Sequence, residues 1–554
     1  MSLTSRHATD SAARLLDGLR DALLCRKSIG AQGSVRTLFQ ATDLPKSLWG
    51  CAATLYQPTT PRIMVVRATQ PMAFENVRAA LNQLMKHDRF DEFAIHDWNR
   101  CRLQIDFIVN EPDAIELATL SDSALPEIQG RISGLKSKQG TDRQGFSSEA
   151  QQAVCDGYSE IGAPWQVQMV STWPEPKRLT RFELGVDGLR IVKDRKRRYF
   201  LPGDAFVHSI LGIGQLRRHI QRLFPGDDIE QLTYYRFRSL SFVSGVEPGS
   251  WVPLYRGLPP VPEVNDASLL QAARAGSKWI ADSLQPDGRF VYYYDAATDK
   301  GRDHEHPTRD PVTDPYYNLL RHGGGIITML LDEQLRLIQG RDIIGHRRHV
   351  IESAIEFLIE QLVTYRTDDG QQAAYALYNR KAKLGGSGIG LYVLALYQHL
   401  YRDARYAGPA KLLANHLINE LNDQGEFRYY HIYLDKPVGW AENQRYFSFY
   451  YPGEAILGLS HFSQHVCQSD VERQHVFDKL HRALRFLLRE RPHLHKEHFQ
   501  TLPADSWLMM GINDLWDIAE FQQDEYKQFV FDDADQMVRL MYTEEDALYP
   551  DYVG

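Results

Sequence analysis

The C-terminal half of this 554-residue chain alternates two kinds of helix, and this alternation constrains the fold more than any other feature. Five predicted helices carry a polar face, at 268–284, 347–363, 408–421, 476–490 and 524–541. Four others are almost wholly apolar, at 323–337, 386–401, 453–466 and 506–519. Because a helix that is covered on most sides has no need of a polar face, we expect an outer and an inner layer.

The segments between these helices repeat as well. A tight turn ending in glycine precedes an aromatic, strand-like run at 285–295, 367–379 and 422–435. A single helix pair cannot bury its own apolar face, so successive pairs must stack. The loops are longer than those of most α-solenoids, which favours closure of about five pairs into an (α/α) toroid. An open solenoid is the alternative.

A segment with five prolines and three glycines, residues 245–266, separates the helices from a first half of different character. Alternating apolar and polar residues at 101–109 and 181–186 predict half-buried strands there, and 74–87 predicts a helix. We therefore expect an α+β domain at 1–244, a linker at 245–266 and an all-α toroid or barrel domain at 267–554.

Composition excludes several classes of function. The formal net charge of -8 does not suit a general nucleic-acid binder. No apolar run approaches the ~18 residues of a membrane span, and the N-terminus lacks the apolar stretch of a signal peptide. The five cysteines are scattered without CxxC spacing, which favours a reducing compartment. We expect a cytoplasmic protein with no nucleic-acid or membrane partner.

Polar and aromatic residues gather where the inner helices begin, in 314–325, 379–388, 445–454 and 501–507. The repeat places these four segments at one end of the ring, and burying unpaired charge in such apolar surroundings is costly. We therefore predict one site there. Its predicted catalytic residues are Glu454, Asp505 and His322. Its predicted substrate-binding residues are Arg321, Asn318, Tyr316, Tyr317, Tyr451 and Trp507.

Two carboxylates with a histidine and an arginine can supply a general acid, a general base and an anion clamp. We expect Glu454 and Asp505 to form the carboxylate pair and His322 to shuttle protons. Their position at helix N-termini favours the ionised form and hence a base or nucleophile, whereas an acid needs a pKa raised by burial. The alternative is structural, because Asp505 suits an N-cap and Glu454 a first helical turn.

Weaker signals lie elsewhere. The run Asp303–His306 and the set His493, His495 and His498 could ligate a metal, but solvated surface is the favoured interpretation. We predict no metal and no cofactor. The basic run 193–198 favours a charged hairpin turn over a phosphate site. Cys51 favours a core position over a nucleophile.

The segment Leu48–Leu55, LWGCAATL, resembles the LRGCIGT signature of the AMMECR1 family. The resemblance runs over residues 10–243 and is carried further by His87–Phe90, Gly188–Val192, Phe200–Pro202 and Tyr235–Phe237. It implies an α+β fold for the first half. The helical half is similar to six-hairpin (α/α) toroids, which include glycoside hydrolases, uronate lyases, sugar epimerases, terpenoid cyclases and lanthionine cyclases.

Among these classes, carbohydrate chemistry is favoured. Cys467 is the only cysteine in the helical half, although a lanthionine cyclase needs cysteine zinc ligands, and no Asp-rich cyclase motif is present. We expect a carbohydrate-active enzyme of hydrolase, lyase or epimerase type, with a saccharide or another small molecule at the mouth of the toroid. The alternative is a non-catalytic scaffold whose toroid holds a peptide or metabolite and whose AMMECR1-like domain docks a protein partner.

Overall fold

Strand-forming and helix-forming stretches segregate along the chain. The computed structural model describes residues 15–24 (except 22), 49–109 (except 59 and 69–72), 112–115, 182–294 (except 246, 248–249 and 260–263), 316–496 (except 344, 434–435 and 438) and 505–543 (except 540), with a few single positions elsewhere. The chain divides into an N-terminal unit, residues 1–268 with 294–302, and a C-terminal unit, residues 269–293 with 303–554.

The N-terminal unit is mixed α and β. Its strands are β1 (Gly50–Gln57), β2 (Thr60–Arg67), β3 (Arg102–Ile108), β4 (Asp113–Ile115), β5 (Gly188–Lys193), β6 (Lys196–Phe200), β7 (Thr233–Phe237), β8 (Ser239–Ser244) and β9 (Trp251–Leu254). Its helices are α1 (Ala73–Leu84), α2 (Asp204–Val207) and α3 (Ile213–Leu223). The strands form two antiparallel sheets, in the orders β2-β1-β3-β8-β9 and β4-β7-β5-β6.

Helix α1 and the helical residues 15–21 share an apolar core with the first sheet. Cys51 is buried in this core, and burial raises the pKa of its thiol well above the usual range. A thiol that resists ionisation is a poor nucleophile. The structure thus supports the interpretation of Cys51 as a core residue.

Two sequence expectations differ from this unit. The predicted linker contains β9, which pairs with β8 and forms one edge of the first sheet. Pro253 is tolerated in β9 because an edge strand pairs with a neighbour on one side only. The strand predicted at 181–186 was wrong, because described residues 182–187 form a turn. Gly185 there has φ +83°, and the Asp187 carboxylate accepts a bond from the Glu183 amide.

Helices dominate the C-terminal unit. They are α4 (Asp266–Asp282), α5 (Leu319–Ile338), α6 (Arg348–Glu360), α7 (Leu384–Tyr401), α8 (Ala407–Asn419), α9 (Tyr451–His465), α10 (Asp470–Arg485), α11 (Arg491–Leu494), α12 (Ser506–Leu515) and α13 (Asp524–Val538). Short strands lie between them: β10 (Leu362–Arg366), β11 (Gln372–Ala376), β12 (Lys381–Lys383), β13 (Tyr430–Tyr433) and β14 (Lys436–Pro437).

The two kinds of helix differ in burial as the sequence predicts. Helices α7 and α9 are buried along almost their whole length, whereas α4 and α13 each bury a single residue, Ser277 and Tyr526. The inner helices pack in chain order, α5 against α7, α7 against α9 and α9 against α12. An inner row flanked by exposed helices is therefore confirmed, while closure into a toroid stays a prediction. None of the described helices has the length and apolar character that crossing a bilayer demands.

The turns after three outer helices confirm the repeat. Gly288, Gly370 and Gly425 each adopt a positive φ, between 80° and 93°. Each glycine amide bonds to the carbonyl three residues earlier. A Cβ on Gly288 would lie 2.7 Å from the Ser353 carbonyl oxygen of α6, so this turn packs on the next outer helix. Only glycine meets both the backbone and the packing requirement.

Glycines also set the distance between inner helices α7 and α9. A Cβ on Gly388 would lie 2.7 Å from the carbonyl oxygen of Glu454. A Cβ on Gly458 would lie 2.5 Å from the carbonyl oxygen of Gly388. Real Cβ atoms do not approach backbone so closely, so these two helices touch backbone to backbone.

We predict that Gly388→Ala destabilises the protein by about 1–3 kcal/mol, because the new methyl group forces α7 and α9 apart. Gly324→Ala in α5 is the matched control, since a Cβ there meets nothing within 4 Å. That variant should gain about 1 kcal/mol from the higher helix propensity of alanine. Urea unfolding measures both, and equal effects of the two substitutions would refute the close approach.

Candidate functional site

A pocket with a cavity volume of about 60 Å³ opens where α5 and α7 begin. Its lining is Tyr316, Tyr317, Asn318, Leu319, Leu320, Ala376, Tyr378, Asn379, Lys381, Lys383 and Gly386. Asn318 is the N-cap of α5 and accepts a hydrogen bond from the Leu320 amide at 2.9 Å. Helix α5 thus begins four residues before the predicted start, which places Arg321 and His322 in its first turn and not ahead of it.

A tight turn carries one wall of the pocket. Tyr378 and Lys381 exchange backbone hydrogen bonds, and both residues between them are left-handed, Asn379 at φ 49° and Arg380 at φ 61°. Two consecutive left-handed residues define a type I′ hairpin turn. The turn leads into β12, whose lysines Lys381 and Lys383 line the pocket just before α7 begins.

The Glu454 carboxyl lies in the first turn of α9, with only 4% of the residue exposed. A Cβ on Gly385 would overlap Oε2 of Glu454, so the carboxyl packs on the backbone beside Gly386 of the pocket wall. Among the described residues this Oε2 has no hydrogen-bond partner. Burial and the nearby Asp505 raise the pKa of Glu454 to about 8, against a smaller lowering by Lys383.

Asp505 is held on several sides. Its Oδ2 lies 3.0 Å from the Arg491 guanidinium, its Oδ1 accepts from the Leu508 amide, and its own amide donates to Asp533. Asp505 and Arg491 are each only 1% exposed. Burial raises the pKa of Asp505 to about 6 despite the lowering by Arg491. The carboxylate is the N-cap of α12, which fits the structural alternative.

His322 also has partners at both ring nitrogens. Nε2 lies 2.9 Å from the Ala354 carbonyl oxygen of α6, and Nδ1 lies 2.7 Å from the Tyr317 hydroxyl. Because a carbonyl oxygen only accepts, Nε2 carries the proton. Burial lowers the pKa of His322 to about 4, so the ring is neutral at pH 7. This arrangement joins α5 to α6 and leaves no ring nitrogen for a proton shuttle.

Aromatic rings surround the pocket wall near α5. The Tyr292 ring centre lies 5.5 Å from those of both Tyr316 and Tyr317, and 5.3 Å from the Arg321 guanidinium. Arg321 is exposed and lies outside the pocket lining. The Lys383 ammonium lies 6.0 Å from the ring centre of Tyr451, next to Glu454 in α9. Tyr451 is thus a neighbour of the pocket wall.

The predicted residues therefore separate into groups. Tyr316, Tyr317 and Asn318 line the pocket. Glu454 and Tyr451 lie directly behind its wall. Trp507 packs against the apolar core, and Asp505 and His322 have structural partners.

Sequence reasoning missed Tyr378, Lys381 and Lys383. The sequence predicts that the segment 379–388 contributes to the site, but none of its residues is among the predicted site residues. The hydroxyl of Ser387 in this segment accepts a bond from the Ala376 amide in the core. The missed signal was the alternation Lys-Ala-Lys, which puts two cations on one face of a strand.

The structure describes some of the residues that gave the weaker sequence signals, the basic run 193–198 and the two candidate metal sets. Lys193 and Lys196 pair across a hairpin whose turn contains Asp194, as favoured for the basic run. His304–His306 and His498 lie outside the described residues, so neither candidate metal set is complete within them. Within the described ranges no group of three or more His, Cys, Asp or Glu side chains is arranged to hold a metal ion.

No protein-family model matches the chain, and no curated protein matches it. The solved structures similar to it include that of an uncharacterized protein from Pyrococcus horikoshii. That match has 13% sequence identity and a TM-score of 0.26, and it covers 44% of this chain and 94% of the other. So low a TM-score carries no argument about fold or function. The resemblances to the AMMECR1 family and to (α/α) toroids stay predictions.

We predict that Arg491→Met destabilises the protein by about 3–5 kcal/mol at pH 8, because it leaves the Asp505 carboxylate buried without its cation. The loss should shrink as the pH falls from 8, because without the lowering by Arg491 the pKa of Asp505 lies above about 6 and the buried carboxyl takes up a proton. Arg489→Met is the control, since its pair with Glu525 is largely exposed and should matter little. Unfolding titrations at pH 5 and pH 8 measure this, and a loss independent of pH would contradict it.

Proposed function

We propose that the C-terminal unit is an acid–base enzyme acting on a saccharide, with Glu454 as its general acid. The observation that carries this proposal is a carboxyl group that is 4% exposed, has an oxygen without a hydrogen-bond partner among the described residues, and packs on Gly385 next to Gly386 of the pocket lining. A buried polar atom left unpaired costs stability, so its retention favours a functional role. With its pKa raised to about 8, Glu454 holds a proton at pH 7.

A protonated carboxyl can donate its proton to a sugar oxygen as a bond to that oxygen breaks. This role replaces the base or nucleophile expected from the helix N-terminus, because burial outweighs the helix dipole at Glu454. Asp505 is not assigned as the second carboxylate, since Arg491 and the α12 amide already hold it. Hydrolysis, elimination and epimerisation all use such an acid, and the proposal extends to these three reaction types.

The pocket walls suit a sugar ring. Tyr316, Tyr317 and Tyr378 supply aromatic surface, and Asn318 and Asn379 supply amide groups. Sugar rings combine apolar faces with hydroxyl edges, which such a lining complements. We also propose that the helix pairs close into an (α/α) toroid and that this pocket lies at one mouth of the ring. The packing of the inner helices in chain order supports stacked helix pairs, which both the toroid and the open solenoid require.

A second candidate is a non-catalytic binding protein whose N-terminal unit docks a partner. It is favoured by one observation, that Asp505 and His322 have the full set of contacts expected of structural residues. On this alternative, Glu454 would only contact a ligand and its loss would weaken binding.

We predict that Glu454→Gln lowers turnover by about 10²–10⁴-fold and leaves substrate affinity nearly unchanged, because the amide keeps the shape and lacks the acid. The measurement is a binding and turnover screen of the full chain against a saccharide panel. For the unmodified protein, kcat/KM should fall as the pH rises through about 8, since the acid must hold its proton.

Glu442→Gln is the control, because Glu442 lies in the segment before α9 with its side chain about half exposed. It should retain full turnover. A Glu454→Gln protein that keeps turnover but binds more weakly would favour the binding protein over the enzyme.

A further inference from the structure

The pocket lining is basic. Among the described residues it contains Lys381 and Lys383 and no aspartate or glutamate. The two lysines are separated by one residue in β12, so both side chains lie on one face, while Ala382 is buried on the other. Within the described part of the chain neither ammonium forms an ion pair.

Two further features add positive potential. The pocket is lined by residues from the first turns of α5 and α7, Leu319 and Gly386 among them. The N-terminal end of a long helix carries partial positive charge. Burial and the neighbouring Lys381 lower the pKa of Lys383 and Glu454 raises it, so an anion beside this ammonium favours its charged form.

Glu454 is the acidic group beside Lys383, but it is protonated at pH 7 and does not neutralise the lysines. Two ammonium groups, on the exposed Lys381 and the half-buried Lys383, and two helix N-termini around one pocket can therefore hold an anion. A carboxylate or phosphate oxygen accepts charge-assisted hydrogen bonds from lysine, the strongest kind available here.

We propose that the pocket binds a sugar carrying an acidic group, a carboxylate or a phosphate, which Lys381 and Lys383 hold while the tyrosines contact the ring. This inference rests on the proposed function and narrows its substrate to acidic sugars. The anion-binding role that the sequence predicts for Arg321 is therefore assigned to Lys381 and Lys383.

Titration calorimetry on the full chain tests the proposal with three probes, glucose, glucuronate and glucose 6-phosphate. The acidic sugars should bind at least about tenfold more tightly than glucose. The comparison of glucuronate with glucose 6-phosphate identifies which acidic group the site takes. Lys383→Gln should lose about tenfold or more in affinity for the acidic sugar and keep its affinity for glucose.

Two further variants serve as controls. Lys383→Arg retains the charge and should retain most of the preference for the acidic sugar. Lys527→Gln removes an exposed lysine of α13 outside the pocket lining and should change nothing. Equal affinity for glucose and its acidic forms, or an unchanged preference in both Lys381→Gln and Lys383→Gln, would overturn the inference.

The two proposals fail in different ways. If Glu454→Gln loses turnover but acidic sugars bind no more tightly than glucose, the proposed enzyme is supported and the anion site is refuted. If acidic sugars bind through the lysines but Glu454→Gln keeps turnover, the anion site is supported and the role of Glu454 as general acid is refuted. If none of the three sugars binds, the acidic-sugar inference is overturned.

Discussion

The backbone contact between α7 and α9 is the constraint on which the candidate site depends. Gly388 and Gly458 let the two helices touch, and Gly385 then lies against the Glu454 carboxyl. A side chain at any of these positions would separate the helices and admit water to the carboxyl. The same packing that buries the helices therefore raises the pKa of Glu454.

The polar groups near the starts of the inner helices fall into two sets. One set has hydrogen-bond or ion-pair partners in the protein, and the other has none among the described residues. Asp505 caps α12 and pairs with Arg491, and His322 joins α5 to α6. Each has its hydrogen-bonding capacity met by the protein, which stabilises the helix ends. Glu454 and the lysines of β12 lack such partners among the described residues. The two lysines line the pocket and Glu454 packs beside its lining, which is why the proposed function rests on these groups.

The sequence predicted the helix alternation well because apolar periodicity reports directly on which faces are covered. Of the predicted site residues, Tyr316, Tyr317 and Asn318 line the pocket, while the site itself stays a prediction. It could not predict the pairing of Asp505 with Arg491, because the sequence between them shows no apolar periodicity. The turn at Gly185 was read as a strand because alternation alone does not reveal a left-handed glycine.

Infrared difference spectroscopy between the unmodified protein and Glu454→Gln tests the central claim most directly, that Glu454 is a buried and protonated carboxyl at pH 7. We predict a carboxylic-acid carbonyl band that is present at pH 7, disappears as the pH rises through about 8, and is absent from the variant. A difference spectrum that shows only ionised carboxylate at pH 7 would contradict the account.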